Sequence, residues 1–335
     1  MSKEEQQHDY ATIRMWHSHF SDFRLFCKDF SARIIKSRLG SEESARGVFG
    51  PSLFAREERI GEDNDVYGRR SEIWESMVRL ARRDPSFTRY LTNEGLNPND
   101  PVSDDVRKRD ECLRKIKPIV LLREAHYKGV DREHRSRKSS VLYAGEETIY
   151  AMSEGNPRLL AGLLNELLDT AVTRRYRRGG SEPMMPREVQ FKILHAASSR
   201  MQSFIKAYPT QSGERLKLHL AHLIDKLGNF LHNQLVGAEF PADPLGSFVV
   251  DSSVNASLRE EIGRGLLIGA FTFVGNSPSD VPSDIIGSRI RLTYMLAPKY
   301  RFLLRNYRGG RLSTALKIAL GYSPQIEMYA AKSET

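Results

Sequence analysis

Ser153-Glu154-Gly155-Asn156-Pro157-Arg158-Leu159-Leu160, run on by Ala161-Gly162-Leu163-Leu164-Asn165-Glu166-Leu167-Leu168, decides how the rest of the chain is read. The leucines recur at helical spacing, and at about 100° per residue they share one arc roughly opposite Arg158. Asn156 suits an N-cap, whose side-chain oxygen takes up free amide protons of the first turn. Pro157 suits the first helical position, where its missing N–H costs nothing. Gly155 permits the sharp turn before the cap. The pattern predicts a helix from Asn156 to Val172, preceded by a short one from Gly145 to Met152. Arg158 adds a full charge beside the positive end of the helix dipole, a place for an anion such as a phosphate. An ordinary helix start with a surface arginine has the same sequence, so both meanings stand at this point.

The 335 residues are 40% hydrophobic and 28% charged, the balance of a globular chain rather than a disordered one. That length allows two domains. Cys27 and Cys112 have neither metal-ligand spacing nor a disulfide framework, which points to a reducing, cytoplasmic setting. The opening MSKEEQQHDY is polar and acidic, unlike a signal peptide. No apolar run approaches the roughly 18 residues of a membrane span, so no membrane partner is expected.

Aromatic residues three and four apart from Tyr10 to Lys36 predict an amphipathic helix. Gly40 to Tyr67 reads as loop, and Ser71–Arg83 and Pro85–Glu94 as helices. Lys115 to Tyr127 fits either a strand followed by a helix or one helix begun at Pro118. The Gly- and Pro-rich RRGGSEPMMPRE is a linker and the expected domain boundary. Long helices follow over Arg187–Tyr208 and Arg215–Val236. In the second, Leu216, Leu220, Leu223, Leu227 and Phe230 step by four and three, as a coiled-coil seam or a core-facing stripe does. His219, His222 and Asp225 on the same helix have metal-compatible spacing, though such histidines are more often unremarkable.

Beyond Gly246 the period changes. SFVVD reads as a strand, Ala256 to Gly269 as a helix, AFTFV as a strand, GNSPSDVPSDIIG as a loop and SRIRLTYML as a second strand. That order is a winged helix, in which a helix enters the DNA groove and basic residues clamp phosphates. Charge supports it: the formal net charge is +9, and no Asp or Glu lies between Gly287 and Leu320. Arg289, Arg291, Lys299, Arg301, Arg305, Arg308, Arg311 and Lys317 occupy that segment, interleaved with aromatics. Arg259 and Arg264 lie on the candidate recognition helix, beside Glu260 and Glu261. Such a group predicts salt-dependent, sequence-tolerant DNA binding; the alternative use of the same module is protein docking. Two further basic clusters, Arg174 to Arg178 and Asp131 to Lys138, read equally well as solvated faces.

YAMSEGNPRLLAGLLNELL resembles the sensor-2 helix in the lid of AAA+ P-loop ATPases, and the layout resembles bacterial origin-recognition/initiator-like members of that group. KIKPIVLLRE, RSRKSSVLYAGEETIYAMSEGNPRLL and GSRIRLTYMLAPKYRFLLRNYRGG carry the likeness. The resemblance implies a mainly α fold, an AAA+-type helical lid followed by a winged-helix domain with a small β-hairpin. It divides the chain into a core remnant over 1–144, lid helices over 145–178, a winged-helix domain over 187–320 and a tail over 321–335. It implies nucleotide sensing by Asn156, Pro157 and Arg158, and DNA binding by the C-terminal part. G-x-x-x-x-G-K-[ST], which cradles phosphates, is absent, and no hydrophobic strand ends in paired acidic residues to hold Mg²⁺. The expectation is therefore no ATPase activity alone. ATP and Mg²⁺ would be held only with a partner that supplies a P-loop, and an oligomer is a further expectation. A protein-interaction adaptor using the leucine stripe is the alternative without nucleotide or DNA. No other catalytic motif is present.

Overall fold

Helices dominate because apolar residues three and four apart recur along most of the chain. The computed structural model describes residues 20–40, 42–54, 71–101, 106–127, 141–174, 184–208, 219–275 and 285–320. Helix α1 spans Phe20–Leu39; the expected start at Tyr10 lies outside the described residues. The short α2, Ala45–Phe49, interrupts what the sequence suggested was loop, its first turn closed by Gly47 N–H donating to Ser44 Oγ at 3.1 Å. Helices α3 (Glu72–Ala81) and α4 (Pro85–Asn93) fall where expected, capped by Ser71 and by Asp84.

Helix α5 runs unbroken from Val106 to His126 with Pro118 inside it, so the segment is a single helix, but one that does not begin at the proline. Leu113, Ile116, Ile119, Val120 and Leu122 are all buried along it. That apolar stripe outweighs the one backbone bond a proline removes. The carbonyl left free, four residues back at Arg114, accepts instead from Arg305 Nη1 at 3.1 Å.

Helices α6 (Glu146–Ser153), α7 (Pro157–Thr173), α8 (Arg187–Ala207) and α9 (Leu220–Val236) complete the main helical set. A four-stranded sheet follows, from β1 (Leu245–Val249), β2 (Phe271–Phe273), β3 (Arg289–Leu292) and β4 (Arg308–Arg311), in the order β2-β3-β1-β4. Strand β3 is antiparallel to both neighbours, with Phe248 opposite Ile290 and Phe271 opposite Leu292. Helix α10, Ala256–Leu267, connects β1 to β2. The architecture is thus mainly helical with a small sheet, consistent with a helical lid and a winged-helix-like domain.

Two details depart from the expected hairpin. The second strand stops at Leu292, because Thr293 Oγ1 accepts the Met295 N–H and turns the chain into a 3₁₀ turn, Tyr294–Leu296, and α11, Ala297–Tyr300. The edge strand β4, Arg-Gly-Gly-Arg, is added parallel to β1, although glycine disfavours strands. A Cβ on Gly309 would stand 2.9 Å from Arg289 Nε, so a larger residue there would displace the guanidinium that crosses the strand. Helix α12, Leu312–Leu320, closes the described chain.

Buried side chains form two clusters. One joins α1, α2, α6, α7 and the start of α8, with Leu160, Leu163, Leu164, Leu167 and Leu168 all buried. The other joins α3, α4, α5, α9, the sheet and α12. The segment before residue 145 therefore supplies helices to both. Each buried leucine is worth about 2 kcal/mol of stabilisation. Leu220, Leu223, Leu227 and Phe230 belong to the second cluster, so the stripe on α9 is core-facing. Leu216, the first residue of the stripe, lies outside the described residues. Asp225 on the same helix is engaged by Tyr300 OH and by Gln202 Nε2, which leaves it unsuited to the metal reading with His219 and His222.

Candidate functional site

The turn that joins α6 to α7 is built by three successive residues. Glu154 is left-handed, with φ 52° and ψ 29°, and Gly155 follows at φ 75°. Gly155 lies so close to α1 that a Cβ would meet Phe23 at 2.9 Å. Asn156 then caps α7, its Oδ1 accepting from Arg158 N at 2.9 Å and Leu159 N at 3.3 Å. Pro157 opens the helix. Arg158 is exposed, and its guanidinium has no ion pair or hydrogen bond among the described residues. The three residues picked out from the sequence therefore form one helix start, with the cap satisfied and the arginine unspent.

Glu154, which sequence reasoning passed over, ties this turn to the sheet. Its carboxylate accepts from Arg291 Nη1 at 2.7 Å, from Tyr294 N at 2.6 Å and from Thr272 Oγ1 at 2.5 Å. Arg291 also lies 3.8 Å over the Tyr294 ring. Burial works against the Arg291 charge, but Glu154 beside it prevails and raises its pKa above the ordinary value. Nothing local in the sequence marks Glu154, because all three partners lie more than a hundred residues away.

The entry to α6 is fixed as tightly. Gln190 of α8 is fully buried; its Oε1 accepts from Gly145 N at 2.9 Å. Its Nε2 donates to the carbonyls of Phe49 and Met185 at 2.9 and 2.8 Å. One amide thus joins α2, α6 and α8. Burial raises the Glu146 pKa, and the neighbouring Glu147 adds to that.

The basic residues separate into two groups. Arg259 donates to Val254 O at 2.6 Å, and Arg264 pairs with Glu261 and lies 4.0 Å from Glu260. Arg289 donates to Ser247 Oγ at 2.8 Å and Tyr307 O at 2.9 Å. Arg291 is 9% exposed. These four guanidinium groups are engaged within the fold. Lys299 is half-buried, whereas Arg301, Arg305, Arg308, Arg311 and Lys317 are exposed, on β4, the turns feeding it and α12. Arg305 shares its charge with Arg114 O and stands 5.5 Å from the Tyr307 ring. Of the other basic clusters, Arg174 is exposed, and Arg175 to Arg178 and Asp131 to Lys138 lie outside the described residues.

Against a nucleotide with Mg²⁺, the chain offers Arg158 but no phosphate-cradling motif. Among the described residues no group of three His, Cys, Asp or Glu side chains is placed to hold a metal ion. Nor is any described helix long and apolar enough to cross a membrane.

The described residues form a mainly helical fold with a small four-stranded sheet, consistent with a helical lid and a winged-helix-like domain. A model of the ORC-CDC6-like family matches residues 2–312, and the chain belongs to that family. No curated protein and no solved structure matches it.

Proposed function

We propose that this chain is an initiator-like relative of AAA+ ATPases that binds DNA through the exposed basic residues of β4 and its flanks. Family membership supports the initiator-like part. The observation that carries the DNA part is the exposure of Arg301, Arg305, Arg308, Arg311 and Lys317 in a stretch without acidic residues. Four to five phosphate contacts would give log affinity a slope of about −4 against log salt. The testing experiment is titration of a labelled random-sequence duplex by fluorescence anisotropy from low to moderate salt. A steep, sequence-independent loss of affinity supports the reading; salt-independent binding or none contradicts it.

In this proposal the chain corresponds to the lid and winged-helix half of a bacterial, cytoplasmic member, without ATPase activity of its own. A second reading is favoured by the unspent guanidinium at the capped start of α7. Arg158 would then complete a nucleotide site whose P-loop and Mg²⁺ ligands come from a partner polypeptide. ATP hydrolysis that appears only on mixing with such a partner, and falls with Arg158→Ala, tests it. Unchanged hydrolysis in that variant removes the second reading and leaves the first untouched.

A further inference from the structure

We propose that the cavity beneath Arg187 binds a phosphate-class oxyanion, at a site separate from Arg158 and from the basic edge of the sheet. The cavity, of about 150 Å³, lies where α2, α3, α5, α6 and the start of α8 meet. It is below the roughly 300 Å³ at which small-molecule pockets begin, yet holds more than one water, so it suits a single small anion rather than a nucleoside.

Arg187 carries the argument. Its Nη1 is buried and has no hydrogen-bond partner among the described residues. A buried cationic donor without an acceptor is costly, and the acceptor that suits a guanidinium fork is a phosphate or carboxylate oxygen. Arg46 and Lys117 line the same cavity, Lys117 only 7% exposed. Arg46 Nη1 reaches Glu147 and Glu146 only at 3.8 and 3.9 Å, beyond hydrogen-bond length. Two carboxylates also line the space, but neither cancels this. Glu147 accepts Ser52 N–H at 2.9 Å and lies 4.0 Å from Arg24, so its charge is answered within the protein. Glu72 is exposed at the start of α3. Three cations therefore line a partly open cavity in which one of them has an unused, buried N–H.

Inorganic phosphate is the direct probe. The full chain is titrated in chloride buffer at constant ionic strength by calorimetry, alongside Arg187→Gln and the exposed control Arg33→Gln. The expected result is saturable binding by the unaltered chain and by Arg33→Gln, weakened at least about tenfold in Arg187→Gln. If Arg187→Gln does not fold by circular dichroism, Arg46→Gln carries the test with the same expected direction. Competition by ATP would show that the phosphate arrives as the end of a nucleotide, and no competition that it is free. No saturable binding, or binding by the Arg187 and Arg46 variants as tight as that of the unaltered chain, overturns the proposal.

Discussion

Glu154 and Arg291 form a 2.7 Å ion pair across 137 positions of sequence, joining the turn before α7 to the middle of the sheet. Both side chains are nearly buried, so neither charge has water to fall back on. Removing one partner leaves the other uncompensated. Glu154→Ala and Arg291→Ala are each expected to lower unfolding free energy by about 3 kcal/mol, and the double variant by clearly less than their sum. Urea denaturation of the four proteins measures this, and additive losses would dissolve the link.

Gly145 sets a steric prediction at the start of α6. Its φ is 94°, and a Cβ there would lie 2.5 Å from both Pro51 C and Ser52 N, backbone atoms that cannot rotate away. At Gly155, φ 75°, the nearest atoms are Phe23 Cβ and Cγ at 2.9 Å, a looser approach than the backbone contact at Gly145. Gly145→Ala is therefore expected to cost about 3 kcal/mol or more, and Gly155→Ala visibly less. Thermal denaturation of the two variants gives the order.

His126 predicts a pH dependence. Burial, then the nearby Arg301 and His232 charges, lower its pKa from 6.5 to about 4. The unfolded chain thus takes up this proton before the folded one does. The stabilising contribution is complete above about pH 6.5 and is lost as pH falls toward 4, by about 2 kcal/mol once partial exposure is allowed for. His126→Leu should flatten the stability profile in that window when chemical denaturation is repeated at each pH. A profile as steep as that of the unaltered chain would show that other groups cause it.

Helices were legible because their signals are local. The leucines after Arg158, the Asn-Pro cap and the Ser71 and Asp84 caps all act within one or two turns, and the structure places them as the spacing implied. Long-range partners were not legible in the same way. Pro118 argued for a helix boundary, and only the packing of α5 and the Arg305 bond to Arg114 O overrode it. Strand β4 depends on parallel pairing with a strand about sixty residues earlier, which its own glycine-rich sequence does not announce. For the candidate site, Arg158 could be placed outward by counting angles. Which arginines are free could not, because Arg289 and Arg291 differ from Arg308 and Arg311 only in what the fold sets opposite them.

That difference gives the central claim its most direct measurement. Arg301, Arg305, Arg308 and Arg311 are replaced together by glutamine, and duplex affinity is measured across salt by anisotropy beside the unaltered chain. The account predicts that low-salt affinity falls at least about a hundredfold and that the salt slope becomes shallower by about three to four. Arg259→Gln with Arg264→Gln, a pair bonded within α10 and its lead-in, should leave the slope nearly unchanged. An unaltered slope in the fourfold variant, with the loss appearing instead in the Arg259 and Arg264 pair, would contradict the account.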